Sequence, residues 1–317
     1  MKLLWEQLGD ELSRASAACQ GDVVLASPFM KAATLERIVN HLPPAVSVTC
    51  YTRWRVEEIV AGVSDLECWD VIARRQNGQI RLIPNLHAKY FRFDQSVYVG
   101  SANVSLAALG WKAFPNLEAM VRLDVESQSW QSFECALAVD ALEVTQEIVS
   151  DFTELVRQFS GVKLHEHKSV MQQVPPGADS SRRSAIWVPK LRSPEYLFKS
   201  YEGDNGVMSR DGIDAAFSDL EELEVPPGLP EAAFIALVRA RLVLMPIIVR
   251  IDKYAFSPRR FGEMRTWLAR QLNKRDATDD WQCLMRWLMV YFPEKYALNS
   301  DKYTEMFEKK GHRSADA

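Results

Sequence analysis

The sequence predicts a mixed α/β fold, a β-sheet flanked by helices, followed by a mainly helical C-terminal region. Three observations carry this. Short apolar or β-branched runs alternate with helical patterns through residues 1–160. A Pro-Pro-Gly and a serine/arginine cluster then interrupt the chain at 172–184, QQVPPGADSSRRS. From Pro230 onward the apolar residues recur at the helical period. The expected organisation is a domain over 1–160, a linker over 161–185, and a mainly helical domain over 186–317.

Each element has a local reason. Residues 3–19 read as an amphipathic helix. Residues 22–26 form a β-rich run ending at Ser27-Pro28, 31–41 a helix, and 46–52 an alternating strand. Residues 55–61 and 65–76 read as helices, and Asn77-Gly78 makes a turn. Three short strands follow at 79–83, 87–93 and 97–99, then another at 117–123. Residues 125–159 read as one long helix or two. Beyond the linker, a strand is expected within 186–201. Ser257-Pro258 reads as an N-cap with proline at the first helical position. Phe261, Met264, Trp267, Leu268 and Leu272 then share one face, with Arg259, Arg260 and Arg270 left to solvent. Asp279 and Asp280 open a last helix bearing Trp281, Leu284, Met285 and Leu288, which stops before Pro293. The final GHRSADA reads as a loose tail.

The 317 residues are 47% hydrophobic and 25% charged, an ordinary globular balance. Five widely spaced cysteines without a C-x-x-C pair argue against a disulfide framework or a zinc site, and for a reducing compartment. The start, MKLLWEQLGDEL, lacks the features of a signal peptide. The longest apolar run, 242–249, is too short to span a bilayer and contains Pro246, so no membrane association is expected and the cytoplasm is the default. The net charge of −4 hides a division, since 202–231 is strongly acidic and 239–275 strongly basic. The two blocks either neutralise each other or leave the basic one for a partner. His165 and His167 form an H-x-H pair, which a polar surface beside the linker explains without a metal.

Chemistry concentrates in the stretch NLHAKYFRFDQSVYVGSANVS, from Asn85 to Ser105. In a strand, His87 and Lys89 share a face. Gly100 allows close backbone approach to a ligand, while Ser101 and Asn103 add a hydroxyl and an amide. Lysine, hydroxyl and amide suit phosphate oxygens, and an imidazole can attack phosphorus near neutral pH. The stretch offers no carboxylate set for magnesium, so charge stabilisation is assigned to the protein and no cofactor is expected. Glu118, in NLEAMVRL, is the candidate to hold the imidazole's second nitrogen.

H-x-K-x4-D, then G-S-x-N, then N-x-E resembles the phospholipase D superfamily, through His87, Lys89, Asp94, Gly100, Ser101, Asn103, Asn116 and Glu118. The spacing between Asp94 and Gly100 is one residue shorter than that family's pattern, which a tighter turn at Asp94-Gln95 would absorb. The resemblance covers about residues 1–160 and implies a two-step transfer without metal, through a phosphohistidine on His87. It also implies a second histidine as acid and then base. His41, His165, His167 and His312 each lack a lysine two residues on, so a homodimer with two identical motifs is expected.

The resemblance to single-motif members of that superfamily implies nucleic acid as the substrate, with DNA favoured, cut by a subunit of a bacterial defence or restriction system. Arg53 and Arg55 near the site and Arg259, Arg260 and Arg270 in the basic block are the expected phosphate contacts. Trp54 between Arg53 and Arg55 either stacks on bases or packs under a helix. The competing readings are a phospholipid phosphodiesterase, or a subunit whose C-terminal domain docks a partner protein.

Overall fold

The computed structural model describes residues 1–123, 129–139, 141–159, 186–301 and 304–310. The chain divides into two compact units, Met1–Ser160 and Gly161–Ala317. The expected linker and the pair His165/His167 lie outside the described residues.

The first unit is built on an eight-stranded mixed sheet. Its strands are β1 (Lys2–Leu4), β2 (Asp22–Ala26), β3 (Ser47–Thr52), β4 (Gly78–Leu82), β5 (Tyr90–Phe93), β6 (Ser96–Gly100), β7 (Met120–Leu123) and β8 (Leu142–Glu143). Their order is β1-β7-β6-β5-β2-β3-β4-β8. The pairs β2–β3 and β3–β4 are parallel, and every other neighbour pair is antiparallel. The helices are α1 (Leu8–Ala18), α2 (Ala32–Val39), α3 (Val56–Val60), α4 (Cys68–Ala73), α5 (Ser129–Val139) and α6 (Gln146–Phe159).

The parallel centre explains the apolar strands. Val23, Val24, Leu25 and Ala26 of β2 are all buried, because helices α2, α3 and α4 connect the parallel strands and a flanked strand is apolar on both faces. Helix α5 crosses the sheet with Trp130, Phe133 and Leu137 packed towards Val24, Tyr90 and Val97. Its Glu134 accepts from Tyr90 Oη and Arg92 Nε, both at 2.6 Å. Arg92 is buried in β5, pairs with Asp22 on its other side and lies 4.7 Å from the Trp130 ring. A buried guanidinium with two carboxylates and an aromatic lid is satisfied, and it fixes α5 above β5.

Two expectations change here. Residues 3–19 are not one helix: residues 2–4 pair with β7 as an edge strand before α1 starts. Residues 87–89 precede β5 rather than belonging to it. Of the one helix or two expected over 125–159, two form, α5 and α6, with β8 between them and 124–128 outside the described residues.

The second unit, as described, is mainly helical. An extended stretch from Ile186 leads into a 3-10 turn at Pro194–Tyr196 and then α7 (Leu197–Tyr201). The strand expected within 186–201 is not formed: Lys190 and Leu191 give their N–H groups to the Asp219 carboxylate instead, at 3.0 and 2.8 Å. There follow α8 (Arg210–Glu222), α9 (Glu231–Val243), α10 (Pro246–Tyr254), β9 (Arg259–Arg260), α11 (Phe261–Gln271), α12 (Thr278–Tyr291), β10 (Tyr296–Asp301) and β11 (Thr304–Lys309). The three strands form an antiparallel sheet in the order β10-β11-β9. Trp281, Leu284, Trp287 and Leu288 of α12 are fully buried, as their spacing predicts. Ser257-Pro258 is not a cap. It lies before β9, and α11 starts at Phe261 behind Arg260, whose backbone N–H reaches Glu263 Oε2 at 2.8 Å. Among the described residues no single helix is long and apolar enough to cross a membrane, and α9 and α10 meet at a 70° bend.

Candidate active site

The site lies where β5 begins and β6 ends. These antiparallel neighbours pair Tyr90 with Val99, so the lead-in to β5 and the exit of β6 meet. Gly100 N–H donates to Lys89 O at 3.2 Å, which carries the ladder one step past the strand. Ser101 N–H donates to Ala119 O at 2.9 Å and does the same towards β7. Residues 87–89, 100–103 and 116–119 therefore converge from three neighbouring strands.

Gly100 also has a structural job. A β-carbon there would meet Ala119 O at 2.1 Å and Met120 Cα at 2.7 Å. The close approach of β7 requires the glycine.

Lys89 Nζ donates to His87 O at 3.0 Å, so the ammonium curls back over its own lead-in. The Lys89 charge holds the His87 imidazole below its ordinary range, with lesser contributions from burial and Arg53. Burial, then Arg53, lower Lys89 itself, while Glu118 acts the other way. His87 is exposed and Lys89 half-buried. The result is an accessible imidazole biased towards its neutral, nucleophilic form beside two cations.

Glu118 takes up both its oxygens locally. Ser101 Oγ donates to Oε2 in a short contact, and Asn116 Nδ2 donates to Oε1 at 3.1 Å. Ser101 Oγ also accepts from Ala119 N–H at 3.1 Å. Among the described residues, the carboxylate makes no bond to the His87 ring, so the expected carboxylate–imidazole pair is not formed within one chain. Asn103 Oδ1 lies 3.2 Å from Ser27 Oγ. Ser27, fully buried at the end of β2, also donates to Phe29 O at 2.8 Å and accepts from Val104 N–H at 3.2 Å. It pins the Asn103 loop to the sheet. Only Ser27-Pro28 at a strand end pointed to it, and that signal marks a turn rather than a support.

Asp94 is a correction. It stands at the opposite end of β5 from Lys89, in the two-residue loop Asp94-Gln95 between Phe93 and its partner Ser96. Its φ of 49° is left-handed, a conformation aspartate tolerates in tight hairpins. The carboxylate accepts from the N–H groups of Gln20, Gly21 and Asp22 at 2.9, 2.8 and 3.0 Å and from Cys19 Sγ at 3.3 Å. Burial alone would raise its pKa, yet these donors together hold it low. Asp94 ties the hairpin to the start of β2 and, among the described residues, bonds to no group of the site.

Arg53 lies beside the site. Its Nη1 donates to Leu86 O at 3.2 Å, and Glu58 holds it at 2.6 Å. Burial raises the Glu58 carboxyl, with Arg53 opposing. Trp54 is buried edge-on against Phe152 of α6, ring centroids 5.5 Å apart, which decides for packing over base stacking. Arg55 begins α3 as its N-cap residue. In the second unit, Arg259 is held against α10 by a bond to Tyr254 O at 3.0 Å and by the Tyr254 ring at 4.5 Å. Arg260 and Arg270 are exposed, and neither pairs with an acid of 202–231 among the described residues.

Next to the site, one sheet face stays apolar and open. Leu3, Val121 and Val99 lie in one row across β1, β7 and β6. Leu3 is 64% exposed and Val99 40%, while Leu117, beside Glu118, is 87% exposed.

No protein-family model matches the sequence, and no curated protein matches it. Among solved structures, NucT from Helicobacter pylori is 13% identical, covers 43% of this chain and 91% of its own, and superposes with a TM-score of 0.35. TrmBL2, described as an archaeal chromatin protein with a novel mode of DNA binding, is 14% identical, with 43% and 50% covered and a TM-score of 0.30. Phosphatidylserine synthase of Haemophilus influenzae Rd KW20 is 12% identical, with 49% and 42% covered and a TM-score of 0.39.

Proposed function

We propose that the chain is a phosphodiesterase that cuts nucleic acid, DNA first, through a phosphohistidine and without a metal ion, in a site completed by a second copy. The observation that carries this is the convergence of His87, Lys89, Ser101, Asn116 and Glu118 at one strand end, with Lys89 depressing the imidazole pKa. The neutral ring of His87 attacks phosphorus and the P–O bond to the leaving group breaks. The imidazolium of the partner subunit's His87 gives its proton to the departing oxygen. Water then attacks the phosphohistidine, the P–N bond breaks, and the partner's imidazole takes the proton from water. Lys89 and Arg53 supply the positive charge that the phosphoryl oxygens need.

Each chain has one H-x-K, so the chemistry requires two copies. The open apolar row Leu3–Val121–Val99 beside the site is the kind of surface an isologous contact buries, which supports the pairing. A place in a bacterial defence or restriction system belongs to the same proposal and rests on the resemblance of the motif. The exposed apolar row and Leu117 beside Glu118 would also serve a phospholipid phosphodiesterase as an apolar rim, and nicking of plasmid separates the two readings.

The test is hydrolysis of bis(p-nitrophenyl) phosphate and nicking of supercoiled plasmid in EDTA. Both should persist in chelator and fall by at least about 10³-fold in His87→Ala. Loss in EDTA with rescue by magnesium, or unchanged turnover in a folded His87→Ala protein, would defeat the reading.

A further inference from the structure

The second unit holds a feature that the basic block alone does not reveal. Helix α10 is followed by the short strand β9, the helices α11 and α12, and the hairpin β10–β11, with β9 paired to β11. Residues 272–277 turn α11 into α12, and Asn273 takes the left-handed φ of 52° that closes the turn. Tyr254 stacks on Trp267 at 4.8 Å, and Trp281 meets Phe307 edge-on at 5.0 Å, so the helices and sheet share one core. This order, two helices joined by a turn and followed by a β-hairpin, resembles a helix-turn-helix unit. The architecture alone does not assign a function; the surface must carry it.

Only one narrow stripe of α12 is exposed, namely Asp279, Gln282, Arg286 and Val290, spaced as a single helical line. The neighbouring side is sealed, since Cys283 Sγ and Trp287 Nε1 both donate to Leu191 O, at 3.1 and 2.8 Å. Around the turn, each carboxylate already has a cation. Asp280 pairs with Lys274 at 2.8 Å, Asp279 with Arg192 at 3.3 Å, and Asp276 with Arg265 at 3.8 Å. Arg270, Arg275 and Arg286 are exposed with no carboxylate partner among the described residues, and Arg286 donates through Nη1 to Arg192 O at 3.1 Å. Six cations face three carboxylates, a local excess of three positive charges in a chain whose net charge is −4.

We infer that the α11–α12 face binds duplex nucleic acid, with Arg270 and Arg275 on phosphates and Gln282 and Arg286 on base edges in the major groove. Gln and Arg are the side chains whose paired hydrogen-bonding groups match adenine and guanine there. The first helix of such a pair lies along the backbone and the second enters the groove, which matches the placement of these four residues. The inference rests on the nucleic-acid reading above only for its ligand, and assigns a binding face within the second unit.

The full chain carrying His87→Ala, in EDTA, is titrated onto a labelled random-sequence duplex of about two helical turns at several salt concentrations. Adding Arg270→Ala and Arg275→Ala should lower the salt slope by roughly two and weaken binding about tenfold or more. Asp279→Asn, which removes a negative charge and frees Arg192, should tighten binding severalfold. Unchanged affinity and slope in the double variant, with normal thermal unfolding, would overturn the inference, as expected for a face that docks protein. Hydrolysis of bis(p-nitrophenyl) phosphate needs no duplex. Its failure with arginine-dependent duplex binding intact would remove the catalytic reading and leave this one standing.

Discussion

At the scale of single residues, the decisive pair is His87 and Lys89. The ammonium depresses the imidazole pKa, so the ring is deprotonated over more of the near-neutral range than an ordinary histidine. Followed by NMR, with His87→Ala to assign the signal among the five histidines, the His87 ring should titrate below the ordinary value. In Lys89→Met the titration should move upward, because the nearest positive charge is gone. No movement would mean that the ring does not sense Lys89. Asp94 gives the contrasting lesson. A motif position can recur because it closes a hairpin: three backbone donors and a thiol at the start of β2 all end on its carboxylate. The motif counted Asp94 with His87 among the catalytic residues, and β5 sets them at opposite ends.

At the scale of elements, the close packing of β6 on β7 is what brings Ser101 to Glu118. Gly100→Ala should push these strands apart, with a stability loss of about 1–3 kcal/mol and a larger fractional loss of turnover. A variant with wild-type unfolding and full activity would show that the strands yield without consequence. The candidate site was legible as far as the motifs H-x-K, G-S-x-N and N-x-E reach, and the fold sets these at the ends of three neighbouring strands. Ser27 and the Arg53–Glu58 pair were not marked as supports, because they come from distant segments and only the fold joins them to the site. β1 escaped notice because three residues carry no period, and pairing with β7 is what makes them a strand. The hairpin β10–β11 was hidden for a related reason: YALNSD and TEMFEK are mostly polar, and Tyr296 and Phe307 are buried against each other, Phe307 also against Trp281.

At the scale of the whole molecule, the reading requires that neither copy acts alone. Wild-type and His87→Ala chains, mixed equally, unfolded and refolded together, should give about one quarter of the activity of the same total of wild type, since only one pairing in four retains both rings. About one half would indicate chains that work independently. The connectivity of the first unit also sets an order of assembly. The hairpin β5–β6 closes through a two-residue loop and β7 joins it within the next stretch of chain, so the groups of the site come together through local contacts that form on the microsecond scale. Residues 2–4, by contrast, must find residues 120–122, and that loop closure spans most of the unit. β1 is therefore a late clasp on the free edge of β7. During synthesis, β1 waits for its partner strand to emerge, and any extension placed before Lys2 bears first on this closing step while leaving the chemistry already assembled behind it.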